Sequence, residues 1–303
     1  MSIATLHVLH GIKNNTTFLS QMSNAQASAG IEPLLGVPAG TPFPTFVGNP
    51  SQTPEITFDS TQLKTILDAC GTSIADWSAN NTILYFKKVS PFASRVGNAT
   101  AQHMTLSAAE AALLWSQISA DHQQPASASC NVGIIYDGTN EPLIPVNNVV
   151  VTGTSTSEEH YTVGTIWING TQIHGIQNVQ ISSGVSVFHL GGDGELYKTF
   201  IAEQEANPTI TFQTPDLPWP TIGLNGLAAS SFSVYLRKIG TTAPVPDGTA
   251  EHIKFSGTKG LIRIEQTVNG ANNETMTTVT ITPVGTAENT RPLTVNTAIA
   301  ITN

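Results

Sequence analysis

The stretch NAQASAGIEPLLGVPAGTPFPTFVGNPSQTPEITFDSTQL (Asn24–Leu63) decides the fold, because it occurs twice. Its second copy is NVQISSGVSVFHLGGDGELYKTFIAEQEANPTITFQTPDL (Asn178–Leu217), at a constant offset of 154 and without a gap over 40 positions. Twelve positions are identical: Asn24/Asn178, Gln26/Gln180, Ser28/Ser182, Gly30/Gly184, Gly40/Gly194, Thr45/Thr199, Phe46/Phe200, Pro54/Pro208, Ile56/Ile210, Thr57/Thr211, Phe58/Phe212 and Leu63/Leu217. Others exchange one apolar residue for another, such as Ile31/Val185 and Val47/Ile201. Self-similarity at a fixed spacing marks a duplicated structural unit.

The match extends outward in the same order after small gaps. ILYFKKV (Ile83–Val89) corresponds to SVYLRKI (Ser233–Ile239), and HMTLS (His103–Ser107) to HIKFS (His252–Ser256). PLIPVNNVVVT (Pro142–Thr152) corresponds to PLTVNTAIAIT (Pro292–Thr302). Between the copies lies TGTSTSEEH (Thr152–His160), with the composition of a linker. The expected fold is mainly β: two tandem homologous antiparallel β-sandwich or partial-barrel domains, each with at most one short helix. They cover residues 1–152 and 161–303, joined by a linker at 153–160. A length of 303 residues suits two domains.

VQISSGVSV (Val179–Val187) alternates apolar and polar residues, as a half-buried antiparallel strand does. Between the copies its polar face (Gln26/Gln180, Ser28/Ser182) is kept, while its apolar face drifts from Ala25 and Ala27 to Val179 and Ile181. A merely solvated face has no reason to drift more slowly than a core face. This polar face is either a chance match or the lining of a shared surface, a pore or an interface. Further strands are expected at Thr165–Ile168, Thr209–Phe212, Ser231–Ile239, Leu261–Val268, Met276–Val284 and the C-terminal tail.

The segments Gly36–Gln52 and Gly191–Asn207 read as long loops carrying Phe43, Phe46, Tyr197 and Phe200. A connection of this length is more often functional than a plain hairpin turn. It is either a flap on its own domain or an arm that packs on a neighbouring subunit.

One helix is well signalled. Asp59 or Ser60 can cap it, Leu63, Ile66, Leu67 and Cys70 form an apolar stripe, and Gly71 closes it. The stripe makes Cys70 a buried core residue. In the second copy Pro218 and Pro220 allow one turn at most. Ser107–His122 is a conflict: Ser107 and Glu110 form a capping-box pattern, while the counterpart SGTKGLIRIEQTVNG reads as strand. The duplication favours strand.

Composition limits the chemistry. Charged residues are 11% and hydrophobic ones 40%, with a net charge of −9. Lys87-Lys88 and Arg237-Lys238 are too short to track a phosphate backbone, which argues against nucleic-acid binding. The two cysteines, Cys70 and Cys130, read as free thilols of a reducing compartment rather than a disulfide framework. The N-terminus lacks the pattern of a secretion signal, and no run reaches the ~18 apolar residues of a membrane span.

Metal ligation needs converging side chains, and the eight histidines are scattered. His103 and His252 fall at equivalent sites, which points to a structural role. GGDGE (Gly191–Glu195) reads as a turn. No phosphate-binding glycine motif and no nucleophile elbow is present. The acidic pairs Glu158-Glu159 and Glu203/Glu205 sit in linker or loop sequence. The expectation is a protein without catalysis, metal or cofactor.

The order of elements in each copy is a hairpin with a long connection, a short helix (Asp59–Cys70 in the first copy), then Asn/Thr-rich strands. This order resembles the tail tube proteins of long-tailed, siphovirus-like bacteriophages, of the type with two tube domains per chain. The resemblance spans nearly the whole chain and is one of organisation; the prolines of the second copy depart from it. It implies three-chain, pseudo-hexameric rings that stack into a tube around a channel. Gln26, Ser28, Glu32, Gln180, Ser182 and Ser186 would then face the lumen. The loop bearing Phe43, Phe46, Tyr197 and Phe200 would reach the next ring.

The implied partners are copies of the chain itself, the tape measure protein and passing DNA without sequence-specific binding, and other tail proteins, with no membrane. The implied location is the virion tail, after synthesis in the host cytoplasm. Two alternatives stand beside it. One is another tail component, such as a terminator, distal tail or baseplate hub protein. The other is an extracellular carbohydrate-binding or adhesin-like pair of sandwiches. The latter should show clustered aromatics, and Trp77, Trp115, Trp167 and Trp219 do not cluster in sequence.

Overall fold

A computed structural model describes the chain except residues 1–5, 72–74, 91–94, 154–158, 193, 216–221, 224, 270–274, 288–289 and 303. The fold is mainly β and antiparallel, with one α-helix among the described residues. The first half contains β1 (His7–Asn14), β2 (Thr17–Leu19), β3 (Met22–Ser28), β4 (Ile31–Gly36), β5 (Phe46–Gln52) and β6 (Glu55–Ser60). It continues with α1 (Leu63–Cys70), β7 (Ala75–Lys88), β8 (His103–Asp121), β9 (Ser127–Ile135) and β10 (Ile144–Val149). The second half opens with β11 (His160–Ile168), β12 (Thr171–Ile173), β13 (Asn178–Ser182), β14 (Val185–Leu190) and β15 (Phe200–Ala206). It ends with β16 (Thr209–Thr214), β17 (Phe232–Ile239), β18 (His252–Gly257), β19 (Gly260–Asn269), β20 (Thr275–Pro283) and β21 (Thr294–Ile299). His160, expected in the linker, already belongs to β11; residues 154–158 of that linker lie outside the described residues.

The pairing of the second half repeats that of the first. Ile12 faces Leu19 in β1·β2, and Ile166 faces Ile173 in β11·β12. Gln26 faces Thr57 in β3·β6, and Gln180 faces Thr211 in β13·β16. Asn24 donates from Nδ2 to Asp59 at 2.8 Å, as Asn178 does to Gln213 at 2.7 Å.

The equivalent histidines are buried and structural. The backbone N–H of Lys88 donates to His103 Nδ1 at 3.2 Å, while Nε2 meets the Gly97 carbonyl at 2.9 Å. Lys238 N–H, His252 and the Pro246 carbonyl repeat this at 3.1 and 3.1 Å. An acceptor at Nδ1 and a donor at Nε2 define one neutral tautomer, so each ring ties a strand to a loop. Tyr85 and Tyr235 likewise tether the tails at Thr152 and Thr302, at 2.8 and 3.0 Å.

The strand expected at Val179–Val187 is two strands. Gly184 has φ +59 and Gly30 has φ +57, a conformation that glycine adopts without a Cβ penalty. The chain leaves the sheet there and rises into a separate two-stranded hairpin. These are arm 1 (β4·β5) and arm 2 (β14·β15). The long loops expected at Gly36–Gln52 and Gly191–Asn207 are therefore half strand, with tips over 37–45 and 191–199.

The helix forms where expected, with Leu63, Ile66, Leu67 and Cys70 buried and Gly71 at its end at φ +63. Neither Asp59 nor Ser60 caps it. Both belong to β6, and the Asp59 carboxylate is already engaged by Asn24 and by the Ser129 hydroxyl at 2.6 Å. Pro218 and Pro220 fall outside the described residues.

The capping box at Ser107 does not form. Ser107–Asp121 lies inside β8, a strand of 19 residues, while His122 follows it. Local helix propensity is a fraction of a kcal/mol per residue. Here it loses to ladders on both sides: β8 pairs with β7 and β10 along its first part, then with β9 and β13. Ala111, Ala112, Leu113 and Leu114 are all buried, because both faces of β8 are covered there. In the second half the corresponding course is divided into β18 and β19, which belong to different sheets.

One hydrophobic core runs through both halves. Trp115 of β8 and Phe255 of β18 meet edge to face at 6.2 Å and are fully buried. Cys70 and Cys130 are free and buried. Burial pushes the Cys70 thiol up to about 12 and the Cys130 thiol well above its ordinary value. Neither thiol is expected to react with Ellman's reagent in the native protein at pH 8, and both should titrate in denaturant. A fast native reaction would contradict this burial.

Candidate functional site

The largest feature assembled from both halves is a sheet that crosses from one to the other. Its order is β3-β6-β9-β8-β13-β16-β20-β19, antiparallel at every step. The halves join at β8·β13, where Gln117 faces Ser182, Ile118 faces Ile181 and Ser119 faces Gln180. Bonds outside the two strands extend this seam: Ser183 N–H donates to the Ser116 carbonyl at 2.9 Å, and His122 N–H to the Gln177 carbonyl at 2.7 Å.

One face of this sheet packs on the core through Ile56, Phe58, Val132, Ile181, Phe212 and Val279. The opposite face is polar. Register places Gln26, Thr57 and Asn131 across the first half, and Ser119, Gln180, Thr211, Thr280 and Arg263 across the seam and the second half. These are hydroxyls and amides, with Thr211 and Thr280 in contact at 3.4 Å. Glu55, Asp59, Asp121 and Glu265 add acidic groups. Among the described side chains of these strands' polar face, Arg263 is the one cation, and Glu265 pairs with it at 2.6 Å.

The expected lumen residues divide into two groups. Gln26 and Gln180 are exposed on this face, with Ser28 exposed and Ser182 half-buried beside them. Glu32 and Ser186 are not on it. The turns at Gly30 and Gly184 carry them onto the arms, where β4 pairs with β5 and β14 with β15. Glu55, Asp121, Asn131 and Arg263 were not singled out from sequence, and Asp59 was read only as a helix cap. Only the pairing order sets them on the face of Gln180.

The arms differ in their surroundings. Arm 2 lies on the first half, where Val185, Val187 and Ile201 pack on Ala75, Ala112 and Leu114. Ile201 closes over Gly133, and a Cβ added there would stand 2.4 Å from its Cδ1. At the tip of arm 2, Tyr197 packs tilted against Tyr136 with centroids 5.3 Å apart, and Leu196 O accepts from Gln52 N–H at 2.8 Å. Tyr197 thus packs within the chain rather than projecting from it. Beneath arm 2, burial holds the His189 imidazole below its ordinary value. Arm 1 is bare: Phe43 is 72% exposed and Phe46 56%. Phe200, on arm 2, is 50% exposed beside Phe188.

No group of three or more His, Cys, Asp or Glu residues among the described residues could hold a metal ion. Among the described residues no helix is long and apolar enough to cross a membrane. No protein-family model matches the chain, and no curated protein matches it.

Proposed function

We propose that the chain is a structural subunit of a tube, of the kind that forms phage tails, in which two copies of one β domain contribute one continuous wall segment. The observation that carries this reading is the sheet shared by both halves, apolar on the core side and polar on the other. A sheet that ends in two edges invites further strands, and closing it into a barrel removes the edges.

The polar face would line the channel. Its hydroxyls and amides keep water in the lumen, and its carboxylates repel phosphate, as does a net charge of −9. DNA and a tape measure protein would pass without being held. Three chains per ring, with rings stacked through exposed apolar residues such as Phe43 and Phe46, complete the proposal. Negative-stain microscopy of the purified chain tests it. Tubes or stacked three-chain rings support it, rings that never stack point to another ring-forming tail component, and a stable monomer at high concentration overturns it.

A further inference from the structure

The inner seam of this chain is a template for an outer one. Three observations define it. First, the sheet has two ends, β3 and β19, which are the counterparts of β13 and β8 at the seam. β3 matches β13 at an offset of 154, and the bulges after Trp115 and Ile264 align β8 with β19 at an offset of 149. Among the described strands β3 pairs with β6 alone and β19 with β20 alone, while the start of β19 is also met by Leu227 at Ile262 and by Ser230 at Gly260.

Second, arm 1 presents an exposed apolar face. The residues by which arm 2 grips the first half are Val185, Val187, His189 and Ile201. Their counterparts in arm 1 are Ile31, Pro33, Leu35 and Val47, apolar at every position. Ile31 is 53% exposed and Val47 69%. Third, the surface equivalent to the one arm 2 covers is uncovered in the second half. Leu261 is 39% exposed, whereas its counterpart Ala112 is 3% exposed. The counterpart of Leu114 is Arg263, 54% exposed and paired with Glu265, so the equivalent surface is apolar at Leu261 and charged beside it. Arm 1 and this surface are the counterparts of one contact, and both are exposed in the chain.

From these we infer that chains join head to tail: the β19 edge of one takes β3 of the next, in the register of β8·β13, while arm 1 of the incoming chain covers Leu261. The inference rests on the tube reading and adds the residues that meet. Transferring the register places Gln26 opposite Val268, Ala27 opposite Thr267 and Ser28 opposite Gln266. The contact is heterologous, so each chain uses two different surfaces, and repeating it gives a closed ring when the rotation per chain divides a full turn.

The template also says which pair to link. At the inner seam Ser183 bonds across to Ser116, so by strand alternation Ile181 does too, and Gln180 and Ser119 form a non-hydrogen-bonded pair. Such pairs have Cα atoms about 4.5 Å apart, within disulfide reach. Gln26→Cys and Val268→Cys are therefore the positions to join, and the buried native thiols will not compete.

Mixing the single variants Gln26→Cys and Val268→Cys under mild oxidation should give a disulfide-linked dimer containing one of each. The double variant should give higher multimers. Gln26→Cys with Gln266→Cys, two residues out of register, should link at least tenfold less. Ile31→Asp with Val47→Asp, both at exposed sites, should leave a folded monomer by circular dichroism and abolish rings. If rings form but the 26–268 link does not, the inference is overturned and the tube reading stands. If the chain stays monomeric at high concentration, both fall.

Discussion

Replacing Trp115 by alanine is expected to cost about 3–5 kcal/mol of stability, the range for removing a large aromatic side chain from a core. Trp115 is fully buried, and its ring meets Phe255 edge to face. The two residues come from β8 and β18, hence from opposite halves, so the cavity would open between them. Urea denaturation followed by circular dichroism measures the loss. Because the core is shared, wild type and variant should each unfold in one transition, with the midpoint displaced and the slope kept. Two separated transitions in the wild type would show that each half carries its own independent core.

The second large effect is expected from Gly184→Ala. The residue sits at φ +59, where an alanine pays about 1–2 kcal/mol. A Cβ there would also stand 1.9 Å from the Asn207 carbonyl oxygen, which is backbone and accepts no such approach. The hydrogen bond from Asn207 N–H to the Gly184 carbonyl, 3.0 Å long, must then open. Arm 2 would tilt off Ala112 and Leu114, adding apolar exposure to the strain. Gly30→Ala meets the same obstacle, with Thr53 O at 1.9 Å, but the apolar face of arm 1 is exposed, with Ile31 at 53% and Val47 at 69%. In the monomer Gly184→Ala should therefore destabilise more than Gly30→Ala, by thermal denaturation at low concentration. Equal losses would mean that the arm 2 contact contributes nothing to the folded chain.

The strands and helix α1 were legible because their signals are local. Alternation in VQIS and TITF and the stripe from Leu63 to Cys70 are properties of a few neighbouring residues. The repeat let the second copy's strand signal overrule the helix signal of Ser107–His122. What escaped was set by long-range pairing. Gly30 and Gly184 read as residues of one continuous strand. That the chain turns at Gly30 depends on Thr53, whose N–H bonds to the Gly30 carbonyl at 3.1 Å. Asp59 resembled a cap because its cross-strand partners, Asn24 and Ser129, are 35 and 70 residues away. The loop of Tyr197 read as either a flap on its own domain or an arm to a neighbour, because nothing in its surroundings in sequence announces Tyr136.

The seam between β8 and β13 has a kinetic consequence. Both strands belong to one polypeptide, so their encounter is intramolecular and runs at the high effective concentration that a tether confers. An assembly of single-domain subunits would need a bimolecular collision, with its loss of translational and rotational freedom, at every junction. In the proposed ring every second junction would be complete before any two chains meet. Dilution would dissolve only the remaining ones, so the smallest fragment of a dismantled ring would already carry a finished junction to rebuild from.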